Sequence, residues 1–160
     1  NNYLPLLKIS DKILAGFLYT KIVSATKDVD FSVEIGVNHI VTNAMEKDII
    51  EVLGTLIDNA VDACDKENRA IRLFLSSRGA DTKDSVDDRL IFEIMNEYPP
   101  IPMKELTRFF ERGYSTKSGK GNRGYGLYNA RRIVKEYKGE ITLENRTVEG
   151  RNYICFHIEL

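Results

Sequence analysis

The sequence predicts an α/β (α+β) two-layer sandwich, a mixed β-sheet covered on one face by three helices. Three observations carry this. Apolar residues recur at helical spacing in three segments, Ile13 to Val23, Leu53 to Cys64 and Leu127 to Tyr137. Five short segments alternate apolar and polar residues as half-buried strands do. The two kinds are interleaved: helix, strand, helix, two strands, a glycine-rich loop, helix, two strands. A length of 160 residues suits one domain with a sizeable core, and no internal repeat, coiled coil or low-complexity segment interrupts it.

In chain order, residues 1–9 are apolar with Pro5 and read as a lead-in, the end of an upstream element; the domain itself is 10–160. Ser10 or Asp11 can cap a helix to about Lys27, with Ile13, Leu14, Phe17, Leu18, Ile22 and Val23 on one face. Phe31 to Ile35 alternates as a strand, and His39 lies in the connection after it. Glu46 to Asp65 is the second helix. Stepped at ~100° per residue, Leu53, Leu56, Ile57, Ala60 and Cys64 fall on one side and Glu51, Thr55, Asp58, Asp62 and Asp65 opposite. Asn59 falls on the border, beside Val52, Leu56 and Ala63. A polar amide at the edge of an apolar face needs partners. Two readings stay open: a boundary asparagine bonded to backbone, or an amide oxygen facing a hard cation such as Mg2+.

Arg69 to Ser77 is a strand, 78–88 a polar hairpin loop, and Arg89 to Met95 the next strand, which Pro99, Pro100 and Pro102 forbid from continuing. Asn96 therefore sits at a strand end, where a rigid sheet presents ligand contacts. Met103 to Phe110 reads as a short helix. Then comes RGYSTKSGKGNRGYGL, Arg112 to Leu127, with Gly113, Gly119, Gly121, Gly124 and Gly126 among Arg112, Lys117, Lys120 and Arg123. It runs into a helix that starts near Gly124 and ends near Lys138, with Gly139 as its C-cap. A glycine-rich basic loop entering a helix N-terminus is a place to hold phosphate: backbone N–H groups approach the anion, and the helix end and cationic side chains add positive charge. It is neither a Walker loop nor a Rossmann turn, and taken alone it also fits a flexible surface loop. Glu140 to Asn145 and Asn152 to Leu160 form a terminal hairpin around Glu149-Gly150, with His157 in a structural place inside the second strand.

Composition narrows the function classes. Charged residues are 29% and apolar ones 42%, ordinary for a globular domain, and a net charge of −1 argues against nucleic acid as a partner. The basic loop therefore stands out locally. Cys64 and Cys155 lie far apart in apolar patterns and read as buried thiols of a reducing compartment. Two histidines argue against a histidine-rich metal site. No signal peptide or membrane-length apolar run is visible, and the opening at Asn1 without methionine reads as a piece of a longer protein.

These motifs resemble a family. EVLGTLIDNAVDA (Glu51 to Ala63) is similar to the N box of GHKL ATP-binding domains, the group of DNA gyrase B, MutL and the histidine kinases. RGYGL (Arg123 to Leu127) is similar to their second glycine box. FERGYSTK (Phe110 to Lys117) and the opening ISDKILAGFLYTKIVSATKDVDFSVEI resemble the sensor histidine kinases of the Agr and VirS type, which detect peptides or related signals. The resemblance implies the ATP-binding catalytic domain of a two-component sensor histidine kinase, with ATP and Mg2+ as cofactors. It implies that Asn59 holds Mg2+ against the phosphates, with Asp62 beside it in the box. Asn96 stands where most members have an aspartate that accepts from the adenine amino group. Gly121, Gly124, Gly126 and Leu127 match the lid, with Lys117 and Arg123 as charge partners for phosphate. Implied partners are a histidine-bearing dimerisation domain of the same parent and a response regulator. The parent is expected to be a homodimer anchored in the membrane, with this domain in the cytoplasm.

The sequence departs from the family at two places. NEYPPIP replaces the DxGxG box, which predicts weaker nucleotide binding. Thr55 stands one turn before Asn59, where gyrase-like ATPases carry a water-activating glutamate, so transfer to an imidazole is favoured over hydrolysis. Competing readings are a serine kinase acting on an anti-sigma-factor antagonist, and a nucleotide-gated interaction module or degenerate kinase.

Overall fold

Alternation along the strands decides which way the sheet faces. The computed structural model describes residues 3–25, 27–79, 87–113 and 123–160, and only the backbone of Arg123 and Gly124. After a 3-10 turn, Leu4–Lys8, come α1 (Lys12–Ala25), β1 (Asp30–Ile35), α2 (Glu46–Ala63), β2 (Ala70–Arg78) and β3 (Arg89–Glu97). Then follow α3 (Met103–Leu106), a 3-10 turn (Thr107–Phe110), α4 (Arg123–Glu136), β4 (Glu140–Val148) and β5 (Arg151–Glu159). The five strands lie in the order β1-β2-β3-β5-β4; β1 and β2 are parallel and every other pair is antiparallel. Leu73, Ile94 and Phe156 share one row of this register, and Leu75, Phe92 and Ile158 the next. These rows are buried beneath Leu14, Leu18 and Ile22 of α1, Val52, Leu53, Leu56, Ile57 and Ala60 of α2, and Leu127, Ala130, Ile133 and Val134 of α4. The sandwich with three covering helices is the one the sequence predicts. Leu6 and Ile9 of the lead-in are fully buried in the same core.

Several boundaries move, each for a local reason. The Asp11 carboxylate accepts from the N–H groups of Ile13 (3.0 Å) and Leu14 (3.1 Å), so Asp11 rather than Ser10 caps α1, which ends at Ala25 instead of Lys27. α2 stops at Ala63, not Asp65, because Cys64 is extended and the Asp65 carboxylate accepts from Glu67 and Asn68 N–H in a turn of its own. β3 continues to Glu97, since Asn96 still pairs with Ile71 and Ile154. The expected helix at 103–110 is one α-turn followed by a 3-10 turn. Gly139 is not the left-handed residue of the α4 cap. Lys138 takes that role with φ 56°, while Lys138 N–H reaches Lys135 O (3.0 Å) and Gly139 N–H reaches Val134 O (2.9 Å). Glycine is needed at 139 for close approach instead: a Cβ there would sit 2.2 Å from the Glu159 carbonyl oxygen. Glu149 (φ 51°) and Gly150 (φ 79°) make the expected hairpin turn, with β4 longer than the alternation suggests and β5 shifted one residue towards the turn. Cys155 is buried as expected, with burial pushing its thiol up to about 12; Cys64 is only half-buried.

His157 faces the side of the sheet away from the helices, in a charge ladder. Nδ1 lies 2.7 Å from Glu93 and Nε2 3.1 Å from Glu159; Arg146 is 3.2 Å from Glu93 and 2.8 Å from Glu144, and Arg78 pairs with Glu159. Burial opposes the charged imidazole, but hydrogen bonds to Glu159 and Glu93 outweigh it and hold His157 above its ordinary pKa of 6.5. Burial likewise opposes the Glu93 carboxylate, and Arg146 and His157 bring it below its ordinary value. The raised His157 pKa makes the imidazole's contribution complete below the unfolded value of 6.5 and lost as pH rises through the folded pKa. Urea unfolding from pH 5.5 upward should therefore show a stability gap between the native protein and His157→Gln that closes as pH rises. A pH-independent gap would deny the titration.

Candidate functional site

The site is built on α2. Its apolar stripe, Ile49, Val52, Leu53, Leu56, Ile57 and Ala60, is buried, so its remaining edges are placed rather than free to roll. Two close approaches set its neighbours. A Cβ at Gly54 would meet the Phe17 ring of α1 at 3.1 Å, and a Cβ at Gly126 of α4 would meet Cγ2 of Thr55 at 3.3 Å. Thr55 is thus a packing residue for α4.

Asn59 stands one turn beyond Thr55 on α2. Its Nδ2 is buried without a hydrogen-bond partner, the one fully buried side-chain nitrogen or oxygen in that state among the described residues. Leaving a buried amide unpaired costs roughly 1–3 kcal/mol, so the fold does not gain by this asparagine. A half-turn about the last side-chain bond exchanges the two ends of the amide, so the same position can present oxygen. Of the two readings of Asn59 left open by the sequence, the backbone-bonded one is not what Nδ2 does.

Asn96 is in phase with Leu90, Phe92 and Ile94, on the helix-facing side of β3, and is 4% exposed. It is flanked by Ile71 and Ile154 in register, and its side-chain amide has no hydrogen-bond partner among the described residues. The proline-rich segment after it is fastened by two residues that motif reading does not single out. Asn145 accepts from Ile101 N–H (3.0 Å) and donates to Ile101 O (2.7 Å). Asn152 donates to Tyr98 O (2.9 Å) and its carbonyl accepts from Tyr98 N–H (3.1 Å). Both occupy ordinary strand positions, so only the tertiary register reveals them.

The other expected residues divide. Gly126 lies against α2, Leu127 is buried in the core, and Asp62 is exposed on α2 three residues beyond Asn59. Arg123 and Gly124 open α4, so the helix N-terminus falls where the glycine box predicts. Lys117 and Gly121 lie outside the described residues. Among the described residues no group of three or more His, Cys, Asp or Glu is assembled to hold a metal ion.

Residues 44–160 match the family model described as histidine kinase-, DNA gyrase B- and HSP90-like ATPase. The chain belongs to that family. Within it, this is the ATP-binding catalytic-domain type of the sensor histidine kinases. Sensor protein CitS of Bacillus subtilis (strain 168) is 31% identical over 123 residues, 76% of this chain and 19% of that protein. The chain thus spans about a fifth of that relative's length. The catalytic domain of histidine kinase ThkA superposes with a TM-score of 0.64 at 22% identity, covering 91% of each chain. ThkA in complex with the response regulator TrrA superposes with a TM-score of 0.59 at 19% identity, covering 94% of this chain and 40% of that one. The ATPase domain is as the motifs suggest; the narrower Agr- and VirS-type branch gains no support from the CitS match.

The α2–α4 contact makes a measurable pair. Gly126→Val should destabilise the domain by about 1–3 kcal/mol, and Thr55→Ser, which removes Cγ2, should recover part of that loss. Urea denaturation of the two single variants and the double measures it; strict additivity would mean that the two residues do not touch.

Proposed function

We propose that this ATPase-family domain binds Mg-ATP between α2 and α4 and passes the γ-phosphoryl group to a histidine on a separate dimerisation domain of its parent. The observation that carries the reading is Asn59: a half-buried side chain at the edge of α2 whose Nδ2 is buried without a partner. Its oxygen is the right donor for a hard cation, and with no acidic cluster assembled among the described residues, phosphate oxygens would complete the coordination. A bound Mg2+ would neutralise charge developing on the phosphates. Gly121, Gly124 and Gly126 with Lys117 and Arg123 then form the phosphate side, and Asp62 adjoins the metal side. Asn96 takes the base. Its amide oxygen accepts from the adenine amino group while its nitrogen donates to the ring, and Asn145 and Asn152 fix the wall beside it.

Two features favour transfer to an imidazole over hydrolysis. Thr55 is a neutral packing side chain, unable to serve as a general base, and Glu51 is exposed a further turn away. The acceptor histidine lies in another domain: His157 is held by two carboxylates on the far face of the sheet, and His39 lies in the loop after β1. A response regulator is the expected downstream partner, in line with the ThkA–TrrA complex. The parent is a membrane-anchored homodimer with this domain in the cytoplasm; no helix among the described residues is long and apolar enough to cross a membrane.

The test joins binding to stability. Titration calorimetry with a non-hydrolysable ATP analogue should show magnesium-dependent binding that Asn59→Leu abolishes. The same substitution should leave the nucleotide-free domain equally stable or more stable by up to about 1 kcal/mol, because it removes an unpaired buried amide. Unchanged magnesium-dependent binding in the variant would move the metal elsewhere.

A further inference from the structure

The glycine-rich stretch separates the 3-10 turn Thr107–Phe110 from α4, and the residues bordering it are tied to one another. The Arg112 guanidinium lies 5.7 Å from the centroid of the Tyr125 ring and 5.9 Å from that of Tyr128. The two tyrosines are three residues apart, on one face of the first turns of α4. Both keep substantial exposure, 42% and 36%, so the core does not fix them. Gly113 follows Arg112 with φ 81°, a backbone that disfavours any side chain, and a Cβ there would sit 3.6 Å from the Tyr125 hydroxyl oxygen. A second tie runs the other way. Arg131 of α4 lies 5.7 Å over Phe110, whose ring meets Phe156 of β5 edge-on at 6.1 Å. The two borders of the stretch thus clasp each other, and the clasp is anchored to the sheet.

Electrostatics gives the clasp a direction. A cation beside the first turns of a helix faces the positive end of the helix dipole, an unfavourable place unless an anion joins it. No carboxylate pairs with Arg112 among the described residues. The two tyrosine faces hold the guanidinium there, each contact worth about 0.5–1 kcal/mol at an exposed site. Holding both borders together also lowers the ordering entropy left for a ligand to overcome.

We propose that Arg112 is a positioning residue for the phosphate end of the nucleotide: by bridging Tyr125 and Tyr128 it fixes the first turns of α4 before the ligand arrives. This rests on the ATP-site reading above. The base end, at Asn96 on the sheet, does not depend on it.

The experiment titrates the domain with the non-hydrolysable ATP analogue plus magnesium, and separately with adenosine at millimolar concentration. Variants are Arg112→Ala, Arg112→Lys, the pair Tyr125→Leu with Tyr128→Leu, and the triple combination. Arg112→Ala and the tyrosine pair should each weaken the analogue about 5- to 30-fold, the triple variant no further, and adenosine should change less than twofold. Arg112→Lys should recover part of the loss, since an ammonium serves one ring but not two at once. Thermal midpoints of all variants check that the fold is kept. Loss confined to the Arg112 variants would overturn the clasp in favour of direct phosphate contact. Equal loss for adenosine would overturn it in favour of general destabilisation, and no loss would overturn it outright. Native protein that fails to bind the analogue would instead sink the ATP-site reading itself.

Discussion

The rest of the structure depends on how α2 is seated. Its large apolar side chains each contribute roughly 1.5–3 kcal/mol by leaving water, so the rotation of this helix about its axis is strongly determined. Two glycine contacts then fix its flanks, Gly54 against Phe17 on one side and Gly126 against Thr55 on the other. Once α2 cannot roll, Asn59 has no choice of environment. It is carried to the border of the core by the same burial that holds Leu56 and Ala60, and there the protein leaves its Nδ2 without a partner.

The two asparagines of the candidate site share a character. Asn59 on α2 and Asn96 on β3 are amides committed to positions where the fold supplies no hydrogen bond to the Asn59 Nδ2 and none to the Asn96 side chain among the described residues. Elsewhere the protein uses asparagine amides for structure: Asn145 pairs both ends of its amide with the backbone of Ile101, and Asn152 donates to Tyr98 O. That contrast within one chain sets the amides that fasten the proline segment apart from the two of the candidate site. It also explains how a proline segment can stand where related domains use glycines. The segment is stitched to the β4–β5 hairpin, and rigidity replaces backbone freedom.

The sheet's far face does different work. There the charges are spent on one another, in the ladder from Arg78 through Glu159, His157 and Glu93 to Arg146 and Glu144, with Arg151 covering the buried Glu97 at 2.5 Å. Around the glycine-rich stretch Arg108 pairs with Glu111 and Arg132 with Glu136, but two other arginines do not follow that pattern. Arg112 and Arg131 are held on aromatic faces, which keeps a cation in place without neutralising it.

Local patterning by itself determined a great deal. Period-3.6 and period-2 spacing placed all the long elements, because burial on one face imprints that spacing whatever the topology. The glycine box located the start of α4, and the N box located Asn59, since helix phase follows from residue count alone. What the tertiary structure decided concerns meetings between distant residues. Strand order, the fastening of Ile101 by Asn145 and the clasp of Arg112 on two tyrosines join segments far apart in the chain, and no local spacing encodes such pairings. Boundary shifts have the same origin. Lys138 rather than Gly139 turns left-handed at the end of α4, and glycine is required one residue later because the Glu159 carbonyl comes too close for any side chain.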